Sequence, residues 1–211
     1  MNDEMSDDAA IETRSMDFDE IAAMCRNAAV ARGYPPELAE AAGEMVVWLE
    51  RHRIPGVAAM ALLVQQMQAF DPEAARPETM ESGELRFPDP FTGGMFILGN
   101  FDRLKFPARI NGPVHGALLM TPFLALAAHQ RGKGIRISYL DPAGNIAGAQ
   151  VSYADGKSGF AGEPKAVGFA TRIGVEFPVE LKAELRTPRD GPVEIDVNFC
   201  RVLGTGGQHL H

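Results

Sequence analysis

Residues 169–185 alternate strictly in polarity. Phe169, Thr171, Ile173, Val175, Phe177, Val179, Leu181, Ala183 and Leu185 share one parity, while Ala170, Arg172, Gly174, Glu176, Pro178, Glu180, Lys182 and Glu184 share the other. Successive side chains of a strand point to opposite faces, so this run specifies a pleated ribbon with one apolar face and one wet face. A strand usually has about 5–6 residues. Pro178 has no N–H for a ladder, so a break is expected there. Both halves keep the same parity, which requires a bend that preserves the inward face. A sheet that is apolar on one side needs a cover, and the segment before it supplies helices.

Asp17, with Glu20 three residues on, has the capping-box pattern. A helix is expected from there to about Arg32, with Phe18, Ile21, Ala22, Cys25, Ala28 and Ala29 on one stripe. Gly33 suits its exit, and Pro35 and Pro36 suit a new first turn. The second helix, to about Arg53, turns Leu38, Ala41, Ala42, Met45 and Leu49 inward, with Trp48 beside that stripe. Glu37 lies early and Arg51, His52 and Arg53 late, as the helix dipole favours. Ile54-Pro55-Gly56 makes a break. The third helix, 57–70, is apolar on several sides and is expected deepest. Residues 71–94 read as a linker rich in Pro, Glu and small residues, and 95–98 as a short strand. Thr121 as N-cap, Pro122 in the first turn and Gly132 past the end mark a helix.

Ile135, Ile137 and Tyr139 alternate with Arg136 and Ser138, and 146–153 returns as a hairpin partner around a turn at 141–145. Residues 155–165 read as a glycine-rich loop. Val193, Ile195, Val197 and Phe199 alternate with Glu194, Asp196 and Asn198 as a last strand. Helices first and strands later indicate an α+β fold, with an N-terminal helical group packed on a mainly antiparallel C-terminal sheet. The expected organisation is a disordered tail over 1–14, a helical region over 15–70, a linker over 71–94, an α+β sheet region over 95–203 and a flexible tail over 204–211.

The chain has 211 residues and a net charge of −8, which disfavours binding to a phosphate backbone. No apolar run approaches the roughly 20 residues of a spanning helix. The start is acidic and has no leader-like pattern, so a cytoplasmic protein without a membrane or nucleic-acid partner is expected. Two cysteines make neither a disulfide framework nor a cysteine-rich zinc site.

Candidate chemistry is sparse. His115, between Val114 and Gly116 ahead of an apolar helix, is the candidate acid or base; a loop histidine with a structural hydrogen bond is the plainer account. Lys157 and Ser158 follow Gly156, but the phosphate-loop pattern needs a glycine where Val151 stands, and strand rather than helix follows. With Arg172 they are the candidate ligand-binding residues. His129 sits at a helix end, where the dipole accounts for it. His209 and His211 have metal-like spacing on the tail, and no metal site or cofactor is expected. Glu176, Glu180, Glu184, Glu194 and Asp196 read as a solvated sheet face, with Arg172, Lys182 and Arg186 placed for cross-strand pairing. Cys200 shares that parity.

The segments Asp17-Phe18-Asp19-Glu20-Ile21, Leu38-Ala39-Glu40-Ala41-Ala42-Gly43, Trp48-Leu49-Glu50, Pro55-Gly56-Val57-Ala58 and Leu119-Met120-Thr121-Pro122-Phe123-Leu124-Ala125 resemble a proteobacterial family of domains of unknown function, over about half the chain. That resemblance implies no activity. The first helices are also similar to those of the malate/L-lactate dehydrogenases that lack a Rossmann fold. There the helices end in Ser-His-Gly-Val; here that place reads Ile54-Pro55-Gly56-Val57.

The expected function is that of a small binding or accessory protein, using a pocket or interface between helices and sheet for a small metabolite or a partner protein. The alternative is a small-molecule metabolic enzyme, oxidoreductase-like, with His115 as acid or base and 155–165 as a lid. A homodimer through an exposed strand edge, at the last strand or near Met95, is a further expectation.

Overall fold

The computed structural model describes residues 11–67, 69–80, 83–141, 143–152, 156–162, 169–180 and 185–204. Its first elements are β1 (Thr13–Met16), α1 (Phe18–Ala31), α2 (Pro36–Arg51) and α3 (Gly56–Gln66). The capping box forms: the Asp17 carboxylate accepts the Glu20 N–H at 2.8 Å, and the Glu20 carboxylate accepts the Asp17 N–H at 3.0 Å. Ile21, Cys25, Ala28 and Ala29 are buried, as their stripe requires. Gly33 leaves the helix at φ 88°. α3 is buried on several sides, through Val57, Met60, Ala61, Leu63 and Val64.

Residues 71–94 are more than a linker. They hold β2 (Glu78–Thr79) and β3 (Leu85–Arg86) and lead into α4 (Pro90–Asn100), so 95–98 is helical and not the expected strand. Asp89 starts that helix by accepting the N–H groups of Phe91 and Thr92 at 3.1 and 2.8 Å, with Pro90 in the first turn. Gly93 and Gly94 let Phe87 and Phe123 lie directly on the helix backbone.

The sheet comprises β2, β3, β4 (Ala108–His115), β5 (Gly134–Leu140), β6 (Ile146–Ser152), β7 (Ser158–Gly162) and β8 (Phe169–Val179). Among the described residues its order is β2-β3-β4-β8-β5-β6-β7. Among these described pairs only β3–β4 is parallel. β8 is therefore central, between β4 and β5. Ile173 and Val175 are buried, while Arg172 and Glu176 are exposed. β8 continues through Pro178 to Val179. Gly134 pairs Val179 and Arg136 pairs Glu176, so a bulge at Phe177 and Pro178 absorbs the missing N–H.

Two further expectations are corrected. Residues 155–165 are not wholly loop, because β7 pairs β6 from Ser158 to Gly162. The last strand is shorter than its alternation suggests: β9 (Val193–Asp196) gives way to α6 (Val197–Gly204). The Asp196 carboxylate accepts the Asn198 N–H at 2.8 Å and so favours a helical start. β9 pairs β1, placing Thr13 and Arg14 in a strand. Glu194 and Asp196 thus belong to a separate two-stranded sheet and do not share a face with Glu176. Glu176 does make the expected kind of cross-strand pair, with Arg136 at 2.8 Å. Cys200 lies on α6, its thiol 3.6 Å from the Met16 sulfur.

The cover has two layers. A 3-10 segment (Ala117–Met120) leads into α5 (Thr121–Gln130), which lies on β5 and β6. α2 packs against α5, α4 and the 3-10 segment. The N-terminal helices thus cover the sheet largely through α5. Thr121 does not cap α5 with its side chain; it is buried and its hydroxyl bonds the Tyr139 hydroxyl. No described helix is long and apolar enough to cross a membrane.

α1 and α2 approach at backbone distance. A Cβ on Gly43 would sit 2.7 Å from the Ala22 carbonyl oxygen, whereas one on Gly99 of α4 would meet nothing within 4 Å. Gly43→Ala is expected to cost about 1–2 kcal/mol net of its gain in helix propensity, lowering Tm by about 2–8 °C. Gly99→Ala should hold or raise Tm. Thermal melts of the two variants measure the difference.

Candidate functional site

The residues singled out by sequence do not meet at one place. His115 ends β4, where its backbone pairs with Phe169; its side chain is outside the described residues, as are His209 and His211. Ser158 opens β7 and is buried, its hydroxyl 2.7 Å from the Gln150 side-chain nitrogen. Lys157 precedes it, half-buried. Arg172 lies three strands away on β8, exposed, and donates from Nε to the Asn111 side-chain oxygen at 3.0 Å.

Two concavities do exist between helices and sheet. The larger is a cleft of about 750 Å³ beside β3, the start of β4 and the C-terminal end of α4. Phe96 and Leu104 give it apolar wall, and Arg103, Lys105 and Arg109 give it cations. Its carboxylate, Glu84, lies 3.8 Å from Arg109 and accepts from the Asn111 amide, which Arg172 in turn orients. Among the described residues, Arg103 and Lys105 have no ion-pair partner. Among the described residues, the site therefore presents two cations outside any ion pair and a third shared with one anion. Sequence inspection missed these residues, because 101–113 carries no period; the cluster of basic side chains at 103, 105 and 109 was the available signal.

The smaller concavity, about 220 Å³, lies between α2, α5 and the turn before β7. Trp48 and His52, one helical turn apart on α2, stack with ring centroids 3.8 Å apart. His52 is fixed at both nitrogens: Nδ1 lies 2.7 Å from the Trp48 carbonyl oxygen and Nε2 3.1 Å from that of Gly156. Arg51 lies over the Phe18 ring at 4.7 Å. His129, at the end of α5, and Ser152, at the end of β6, complete the polar lining.

Buried ionisable groups hold the frame of these sites. Burial pushes the Glu50 carboxyl up, against the opposing pull of the Val57 N–H and of Arg189. Glu50 accepts that N–H at 3.0 Å and meets the Arg189 guanidinium at 3.3 Å. Arg189 also donates to the Glu50 carbonyl at 2.9 Å, so the chain around Pro188 is held onto the end of α2. Burial likewise raises Asp89, which accepts from the Tyr34 hydroxyl as well as from its helix. Desolvation raises the Cys25 thiol strongly, which suits a core residue and not a nucleophile. No group of three or more His, Cys, Asp or Glu side chains among the described residues could hold a metal ion.

The chain belongs to a family described as protein of unknown function (DUF3726), whose model matches residues 15–152. No curated protein matches it significantly. Solved structures similar in fold include a malate dehydrogenase from Entamoeba histolytica, with 10% identity and a TM-score of 0.50 over 72% of this chain and 50% of that one. A dehydrogenase from Sinorhizobium meliloti has 13% identity and a TM-score of 0.49 over 92% and 68%. The malate dehydrogenase of Pyrococcus horikoshii OT3 has 14% identity and a TM-score of 0.43 over 71% and 50%. The chain thus spans half the length of the Entamoeba protein, and the likeness is one of fold.

The raised Glu50 sets a pH dependence. A carboxyl whose folded pKa lies above its ordinary 4.5 binds its proton more tightly when folded, so its contribution to stability falls as pH rises from there through the folded value. Glu50→Gln removes that contribution. The Tm of the wild type relative to Glu50→Gln should therefore decline as pH rises above about 4.5; parallel melts across the weakly acidic range measure it.

Proposed function

We propose that this member of the DUF3726 family is a small cytoplasmic binding or accessory protein that holds a small anionic metabolite, a carboxylate or phosphate, in the cleft between α4 and the β3–β4 edge. The observation that carries this reading is the convergence of Arg103, Lys105 and Arg109 on one concavity in a chain of net charge −8. An acidic protein repels anions at long range, so a cleft with a local cationic excess selects for them at short range. Its volume falls in the range of about 300–1,000 Å³ usual for small-molecule sites. The free thiols Cys25 and Cys200 accord with a reducing compartment.

An enzyme using His115 as acid or base would need that side chain at the cleft. β4 carries His115 six residues beyond Arg109, about 20 Å at 3.3 Å per residue. The fold neighbour from Entamoeba is named for malate, a dicarboxylate, which makes malate a sensible probe; the departure at Ile54-Pro55 from the Ser-His pattern gives no support to hydride transfer.

Thermal-shift and calorimetric titration with malate, succinate and inorganic phosphate tests the reading. At least one is expected to raise Tm and to bind more weakly as salt is added. The Arg103→Ala/Lys105→Ala variant should lose about ten-fold or more in affinity, roughly 1.4 kcal/mol. Binding unchanged in that variant, or no stabilisation by any of the three anions, overturns the proposal.

A further inference from the structure

The smaller concavity has different chemistry. We infer that it is a second, independent ligand site, which takes a single-ring aromatic carboxylate with its ring against Trp48 and its carboxylate toward Arg51 and His129. A seam between helices and a sheet is normally filled to crystal-like density by side chains. Here Ala125 and Gly156 are too small to fill it, and about 220 Å³ stays open. That is below the size of most drug-like sites and suits one substituted ring.

The walls favour a flat apolar body. Leu126 and Pro188 face the space together with Trp48, whose indole is half-buried. The Trp48–His52 stack and the two carbonyl contacts of His52 hold that indole in place before any ligand arrives. A preorganised aromatic wall loses little entropy on binding. Arg51 and His129 are exposed, so they stand at the mouth, and the lining includes no carboxylate among the described residues. A carboxylate left at that mouth keeps part of its hydration and gains donors. At the inner end, the Ser152 hydroxyl is buried and among the described residues has long contacts only, 3.5 Å to the Gln150 nitrogen and 3.5 Å to the Ser158 hydroxyl. Behind it, the Gln150 side-chain oxygen is buried with no partner among the described residues. Buried polar groups are ordinarily satisfied, so this end has unused hydrogen-bonding capacity. A hydroxyl placed opposite the carboxylate, as in 4-hydroxybenzoate, reaches toward Ser152.

Trp48 is the chain's single tryptophan, so its fluorescence reports on this site alone. Titration with 4-hydroxybenzoate should change that emission saturably, with benzoate several-fold weaker and cyclohexanecarboxylate weaker still. Ala125→Leu, which fills the space, should abolish the change. The exposed double substitution Arg51→Ala/His129→Ala, with folding checked by its melt, should weaken binding about ten-fold or more. Arg103→Ala/Lys105→Ala should leave the titration unaltered, which separates this site from the anion cleft. No saturable change up to roughly 1 mM ligand, or a change that persists in both Ala125→Leu and the double variant, overturns the inference.

Discussion

The fold depends on one ribbon having no free edge and one closed, apolar face. β8 lies between β4 and β5, so its backbone groups are paired on both edges, and one of its faces is closed by core. Ile173 and Val175 lie in register with Tyr139 and Ile137 of β5 and with Ile110 and Ala108 of β4. A one-residue slip would carry Arg172 and Glu176 to the buried face, a cost far larger than any single surface contact could offset. The bulge at Pro178 takes up the extra residue of β8 at the end of the strand, beyond that buried part. Register from Arg172 to Glu176 is therefore fixed by burial, and the other shifts lie beyond it, between Asn111 and Val114 of β4 and between Tyr139 and Leu140 of β5. Both concavities inherit their geometry from this: the cleft is built outward through β4 and β3, the smaller site outward through β5 and β6.

The cover depends on polar groups placed where burial makes them costly. Asp89 is 3% exposed, yet it accepts from Phe91, Thr92 and Tyr34. A carboxylate in such a place is tolerable only when several donors meet it, and the N-terminal end of α4 adds favourable dipoles. The contact also joins the entry of α2 to the entry of α4, since Tyr34 stacks with Phe70 and meets Phe91 edge-on. Glu50 does comparable work at the other end of α2, where it fixes the start of α3 and the chain near Arg189. Surface pairs such as Arg26–Glu40 are exposed on both sides and contribute about 0–1 kcal/mol. Helix orientation is thus held by two buried carboxylates more than by the larger number of visible ion pairs.

The legible parts of the sequence were those where one local signal met no competitor. The capping box at Asp17, the exit at Gly33 and the alternation across β5 and β8 each formed as their chemistry requires. α4 was obscured because 91–98 has two glycines and no amphipathic period; Asp89-Pro90 was its readable start, and packing of Phe87 and Phe123 on those glycines explains the rest. The last strand failed for a different reason. Val197 and Phe199 continue the alternation, but Asp196 offers a cap to the next turn, and a helix there can pack on α1 and α3. The sites were less legible still. Trp48 and His52 share a helix face that sequence can place, whereas Gly156 and Pro188 reach them only through the fold. Arg103 and Arg109 converge with Glu84 because β3 pairs parallel to β4, a contact no local pattern encodes.

Cations without a carboxylate partner among the described residues line both concavities, and they also occur elsewhere, as at Arg76 and Lys133. Arg26, Arg86, Arg131 and Arg136 each face a carboxylate within 3.4 Å, so their fields are largely cancelled close to the surface. Among the described residues, Arg103 and Lys105 face none, and the smaller site has no carboxylate in its lining. The long-range field slows an approaching anion, and it is screened beyond about 8 Å at physiological salt. An anion proposed for either concavity would therefore be selected at contact, by Arg103, Lys105 and Arg109 or by Arg51 and His129, and not by steering from the molecule as a whole.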